Sequence, residues 1–135
     1  MTKRRDILKD TVILHNSLGE IDDEVTYQDT ILTRCYCPSS NGMELTNQGK
    51  KSNNSAKLYL FDYKTEARSV NGSVRKYLPY DEWLKLDDKS RYWTLSEKGD
   101  DFFTIKGSTN WLRIFKFSHK KAGSRRMWHF EVEAK

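Results

Sequence analysis

Apolar and polar residues alternate in short runs through most of this chain, and small polar turn residues separate the runs. The pattern is clearest in YWTLSEKGDDFFTIKGSTNWLRIFKFSHKKAGSRRMWHFEV, which runs from Tyr92 to Val132. A period of two places successive side chains on opposite faces of an extended strand. It predicts strands at residues 92–95, 101–106 and 111–118, separated by turns at 96–100, on Gly99, and at 107–110. Residues 111–118 are apolar on both faces, Leu112 and Ile114 against Trp111, Phe115 and Phe117. Such a strand belongs in the middle of a sheet or at an interface. A basic turn, residues 120–126, leads into a closing strand over 127–132. Trp128, Phe130 and Val132 of that strand face in, and Met127, His129 and Glu131 face out.

The first half follows the same rule. Residues 11–15 predict a short strand with Val12 and Leu14 on one face, and 16–24 a turn and acidic loop with Leu18 and Gly19 at its tip. Residues 25–37 predict a long second strand, Ile31, Thr33 and Cys35 alternating with Leu32, Arg34 and Tyr36. Residues 57–62 predict a third, Leu58 and Leu60 against Tyr59 and Phe61. Asn71-Gly72 between Val70 and Val74 suits a hairpin on a type I′ turn. One short helix is expected from Pro79 to near Asp88. Pro79 suits a first turn, Asp81 and Glu82 suit the positive end of the helix dipole, and Trp83, Leu84 and Leu86 supply an apolar side. The expected fold is mainly β: a small antiparallel β-barrel or sandwich in one domain, residues 1–135, with a basic arm over residues 1–10.

Residues 38–56 break the pattern. They are rich in Ser, Asn and Gly, with only Met43 and Leu45 to bury and with Lys50 and Lys51 near the middle. This is a long loop between the second and third strands. Loops of this length in compact domains are functional or disordered.

Charge sharpens the picture. The net charge is +5, unevenly spread: from Lys106 onward there are eight Lys and Arg against Glu131 and Glu133, while Asp22, Asp23 and Glu24 form an acidic knot. A chain with a basic and an acidic pole suits stacking on copies of itself or on a charged neighbour. The turn residues Lys120, Lys121, Arg125 and Arg126, with aromatics nearby, also suit phosphate contact. A nucleic-acid-binding barrel presenting Tyr59, Phe61 and that turn is therefore a distinct reading. No apolar run reaches membrane-span length. The charged start MTKRRDILKD lacks the apolar stretch of a signal peptide. The expected product works in solution.

Catalytic patterns are missing. The acids come as adjacent pairs, Asp22-Asp23, Asp87-Asp88 and Asp100-Asp101, which on a strand face opposite ways and suit solvated turns. There is no phosphate-binding Gly loop and no nucleophile elbow. His15, His119 and His129 are scattered, and Cys35 and Cys37 would need two further ligands to hold zinc. Two apart on one strand, the two cysteines lie about 6.5 Å apart, at the limit for a disulfide. The expectation is half-buried reduced thiols, no enzyme activity, no metal and no other cofactor.

The order Tyr92-Trp93-Thr94-Leu95, Gly99-Asp100, Gly107, Gly123-Ser124 and Met127-Trp128-His129-Phe130-Glu131-Val132 resembles small head–tail connector proteins of tailed siphophages. The strand LYLFD and the short helix with Trp83 extend the resemblance over residues 57–132. The chain departs from the pattern where Asp101, Phe102 and Phe103 follow Asp100, and where Ser108 replaces an aromatic. These departures bear on the connector type: the resemblance implies a stopper, or head-completion protein, with the tail terminator or another connector ring protein, such as an adaptor, as the alternative. The resemblance implies a ring, commonly of six copies, in the virion between portal–adaptor and tail. It implies that the loop between strands 2 and 3 enters the channel and retains packaged double-stranded DNA without reading its sequence. Asn41, Gly42, Met43, Gly49, Lys50 and Lys51 would then be channel residues. Arg4, Arg5, Trp111, Phe115, Lys120, Lys121, Arg125 and Arg126 would contact other copies or neighbouring rings. Assembly would follow synthesis in the host cytoplasm, with no membrane partner.

Overall fold

The computed structural model describes residues 8–38, 56–98 and 100–135. The chain is mainly β. Strand β1 (Asp10–Ile21) pairs antiparallel with β2 (Glu24–Cys35), and β3 (Ala56–Phe61) and β4 (Glu66–Arg68) follow. Then come β5 (Lys76–Tyr77), helix α1 (Tyr80–Leu84), β6 (Tyr92–Trp93), β7 (Phe102–Ile105), β8 (Leu112–Lys120), a 3₁₀ turn (Arg125–Met127) and β9 (His129–Ala134). Seven strands make one antiparallel sheet in the order β3-β9-β8-β7-β1-β2-β4. One bridge, with Tyr36 N to Tyr59 O at 3.1 Å and Tyr59 N to Tyr36 O at 2.8 Å, joins the end of β2 to β3. The sheet thus curls back on itself but does not close into a continuous barrel, so the barrel expectation is corrected to an open, curled sheet. β5 and β6 pair in parallel, an exception to the antiparallel expectation.

The core fills the inside of the curl. Val12, Leu14, Leu32, Leu58, Phe103 and Val132 are all fully buried, each from an alternating position on its strand. β3 keeps the expected alternation, Leu58 and Leu60 in and Tyr59 and Phe61 out. β8, expected to be central, lies between β7 and β9.

Several elements differ from expectation for identifiable reasons. Residues 16–24 are not a loop: β1 runs on to Ile21, and the turn is Asp22-Asp23, with φ of 55° and 67°. Both residues in the left-handed region make a type I′ turn, and Asp tolerates that region. Gly19, at φ 105°, is a bulge residue inside the strand, where the pairing register shifts and Leu18 is left unpaired. On β2, Arg34 adopts φ 60° and the register shifts against β1. That flips Cys35 onto the face of Leu32 and away from Thr33. Cys35 and Cys37 are therefore thiols in the core without a disulfide, both 0% exposed, not half-buried. Burial pushes the Cys35 thiol far up, with Cys37 and Asp10 adding to the effect. Neither thiol should react with a thiol reagent at about pH 8 in the native protein, and both should react in denaturant. Rapid labelling of the native chain, read by mass spectrometry, would contradict this packing.

The SVNGSV segment turns on Gly72 alone, at φ 98°, with Gly72 N bonded to Ser69 O at 2.9 Å and Ser69 N to Ser73 O at 2.7 Å. The expected type I′ turn is thus a three-residue loop with one left-handed glycine. Arg75 ties this hairpin to β2 and to the next loop. It donates to Asp29 O at 2.5 Å, Thr30 Oγ1 at 2.9 Å and Ser90 O at 2.8 Å. The helix is shorter than expected. Pro79 is its N-cap, Trp83 is buried, Leu84 is half exposed, and the helical turn ends at Lys85. β9 starts one residue after Trp128, and its inward set is Phe130, Val132 and Ala134. Gly99 and residues 39–55 lie outside the described residues.

Candidate functional site

The outer surface of the sheet carries two aromatic faces. On the first, the His15 ring of β1 stacks on Phe102 of β7 at 4.5 Å between centroids, and Trp111 stacks on Phe102 at 3.8 Å. Tyr27 of β2 meets Phe102 edge-on at 5.0 Å. Register explains the grouping, because His15 lies opposite Asp29 on one side and Phe102 on the other. His15 Nδ1 is 2.7 Å from Asp29 Oδ1, and its Nε2 is 3.2 Å from Thr104 Oγ1. Trp111 shields Phe102 from water yet remains 61% exposed itself.

The second face lies on β3 and β9. Tyr36, Tyr59, His129 and Phe61 form a row, with centroid separations of 5.6, 6.1 and 5.1 Å. His129 Nε2 is 3.0 Å from Glu131 Oε2, a hydrogen bond that holds the Glu131 carboxyl below its ordinary range. Lys120 lies opposite His129 in the β8–β9 ladder. Beyond it, Lys121 Nζ and the Arg125 guanidinium each sit 5.5 Å from the Trp128 ring. Ser124 Oγ accepts from Arg126 N at 3.1 Å and sets the 3₁₀ turn. All four turn cations, Lys120, Lys121, Arg125 and Arg126, are exposed.

A cleft of about 280 Å³ opens beside β5, lined by Tyr77, Trp93, Phe130, Asp62 and His119 among others. His119 stacks on Phe130 at 3.9 Å, and its Nε2 is 2.8 Å from Asp62 Oδ2. Burial, then nearby Glu82, raises the Tyr77 phenol. The rings pack against one another, with Tyr77 4.7 Å from Phe130 and 5.1 Å from Trp93. The cleft therefore has an apolar floor and a hydrogen-bonded His–Asp pair in its wall. Among the described residues no group of three or more His, Cys, Asp and Glu is placed to hold a metal ion. Among the described residues no helix is long and apolar enough to cross a membrane.

A polar knot sits in the core below the first face. Asn16 is 0% exposed and donates to Thr94 O at 2.8 Å and to Asp101 Oδ2 at 2.9 Å. Asp101 Oδ1 accepts from Ser17 N at 2.8 Å. Burial raises the Asp101 carboxyl, against the opposing pull of these bonds. The Asp100-Asp101 pair is thus not a solvated turn, since Asp101 is 2% exposed. Thr94 Oγ1 is buried with no hydrogen-bond partner. Thr94→Val keeps the shape and removes that orphan, so it should stabilise the fold by about 0.5–2 kcal/mol in urea titration. A loss of stability would show that the hydroxyl is satisfied in solution.

The anticipated contact residues are only partly brought together. Trp111 joins the first face, and the four turn cations cluster beside the second. Phe115 stands apart at the β8 bulge, 40% exposed, with Lys135 Nζ 5.3 Å from its ring. Arg4, Arg5, Asn41, Gly42, Met43, Gly49, Lys50 and Lys51 lie outside the described residues. Sequence reasoning missed the His119–Asp62 pair, because 57 residues separate the partners. It also missed the long β1–β2 ribbon, whose turn signal was the tolerant Asp-Asp step.

No protein-family model, curated protein or solved structure matches this chain.

Proposed function

We propose that this chain is a structural connector of a tailed-phage virion, a ring protein between portal–adaptor and tail, of the stopper type. The supporting observation is the base of the β2–β3 connection. Tyr36 and Tyr59 pair directly, so residues 38–56 leave and re-enter the sheet at one seam. The ends of this polar segment therefore come together at the β2–β3 seam, which suits an element that projects into a channel. The exposed Trp111 and Phe115 and the basic turn supply surface for neighbours. Deleting residues 41–54 in the phage should give particles that assemble but lose DNA, measured as the ratio of full to empty heads. Normal genome retention would overturn the stopper role, and the tail-terminator position would then be the reading to pursue.

A second reading is favoured by one specific arrangement. The Tyr59, His129 and Phe61 row ends beside Lys120 and the basic turn, and stacking rings next to cations suit single-stranded nucleic acid. It requires salt-dependent oligonucleotide binding by the isolated chain, weakened about tenfold or more by Phe61→Ala. Absence of binding at about 50 mM salt would remove it.

A further inference from the structure

The β1–β2 ribbon projects past the sheet. β7 covers β1 only from Val12 to His15, and residues 18–26 are exposed on every side. Its apolar side chains are only partly covered: Leu18 is 46%, Ile21 66% and Val25 39% exposed. From Asp10 to Thr33 the ribbon holds six acids and no Lys or Arg. Four of the acids, Glu20, Asp22, Asp23 and Glu24, crowd the tip. The β8–β9 turn is its chemical complement, with Lys120, Lys121, Arg125 and Arg126 around a half-buried Trp128 and a 61% exposed Met127. Among the described residues none of these four acids and none of these four cations enters an ion pair.

We propose that the ribbon tip of one copy docks on the basic β8–β9 turn of a second copy. Leu18, Ile21 and Val25 would cover Met127 and Trp128, and the tip acids would meet the turn cations. The contact joins two different patches, so it is head-to-tail and propagates into a ring if the rotation closes. It deepens the connector reading by naming the surface that would build the ring. A flat apolar contact alone would not select between ends of the molecule; the opposite charges do.

The test uses charge reversal on the full chain. Glu20→Lys with Glu24→Lys changes strand positions and leaves the left-handed Asp22-Asp23 turn intact. Lys121→Glu with Arg126→Glu leaves Arg125 over Trp128. By sedimentation velocity at about 50 mM salt, each double variant should self-associate at least about tenfold more weakly than the wild type. Each double substitution brings its patch from four charges to a net charge of zero, so an equimolar mixture of the two should form pairs, because the unaltered tip of one variant then finds the unaltered turn of the other. Circular dichroism checks that both variants fold. Wild-type association by either variant, a mixture that stays monomeric, or a wild type that is itself monomeric would each overturn the proposal. If the variants assemble normally while the residue 41–54 deletion still releases DNA, the ribbon contact falls and the connector reading stands.

Discussion

Phe103→Ala is expected to lower the unfolding free energy by about 3–5 kcal/mol, a large share of the roughly 5–15 kcal/mol that stabilises a domain. Phe103 is 0% exposed and sits on β7, a strand of four residues. That strand is the joint between two halves of the sheet, β4-β2-β1 and β8-β9-β3. Its ladder to β8 is only two pairs long, Phe102 with Arg113 and Phe103 with Leu112. So few backbone bonds cannot hold the halves alone, and the ring of Phe103, opposite Leu14, fills the space between them. Truncation leaves a cavity where the backbone has least redundancy. Ile105→Ala, on the same strand but half-buried, should cost only about 1–2 kcal/mol. Urea unfolding of both variants checks the contrast. A Phe103→Ala cost below about 1 kcal/mol would mean that the halves are joined elsewhere.

Asp101→Ala should cost about 2–4 kcal/mol, through polar satisfaction and not through volume. It strips the acceptor from Ser17 N and from one hydrogen of Asn16 Nδ2. Asp101→Asn should cost nearly as much, because an amide that still accepts from Ser17 turns its own donor toward Asn16. The acid dependence has a definite sign. Burial raises the folded-state pKa of Asp101 above its ordinary 3.8. The folded state therefore takes up the proton first. The stabilisation linked to this group is complete below that ordinary value and is lost as pH rises through the raised one. The advantage of wild type over Asp101→Asn should be larger at about pH 4 than at about pH 7, compared by denaturant midpoint. An advantage that grows toward neutral pH would place the folded-state pKa below the ordinary value.

The strands were legible in the sequence because period-two alternation is a direct image of one buried face. β3 is the cleanest case: Leu58 and Leu60 face in and Tyr59 and Phe61 face out as expected, and the strand starts one residue earlier, at Ala56. The errors fall at bulges. Arg34, the Leu18-Gly19 step and the Ile114–Lys116 step each insert a residue that flips the alternation without changing composition. Periodicity alone therefore put Cys35 on the wrong face and read half a strand as a loop. The parallel β5–β6 pair is two residues long, too short for any period. On the surface, the basic turn was legible as a charge run and Trp111 as an apolar surplus. The aromatic rows and the Asn16–Asp101 knot were not, because pairing between distant strands creates them. The helix was overextended because Leu84 and Leu86 resemble an apolar stripe, yet only Trp83 finds a buried place.

Among the described residues the seam between β2 and β3 carries one bridge, Tyr36 with Tyr59. The β1–β2, β3–β9 and β8–β9 ladders are each at least six pairs long, so this seam should open more readily than they do. Amide exchange at Tyr36 and Tyr59 should outpace exchange along the middle of β1, and a force pulling the ends of β2 and β3 apart would open this line before the long β1–β2 ladder.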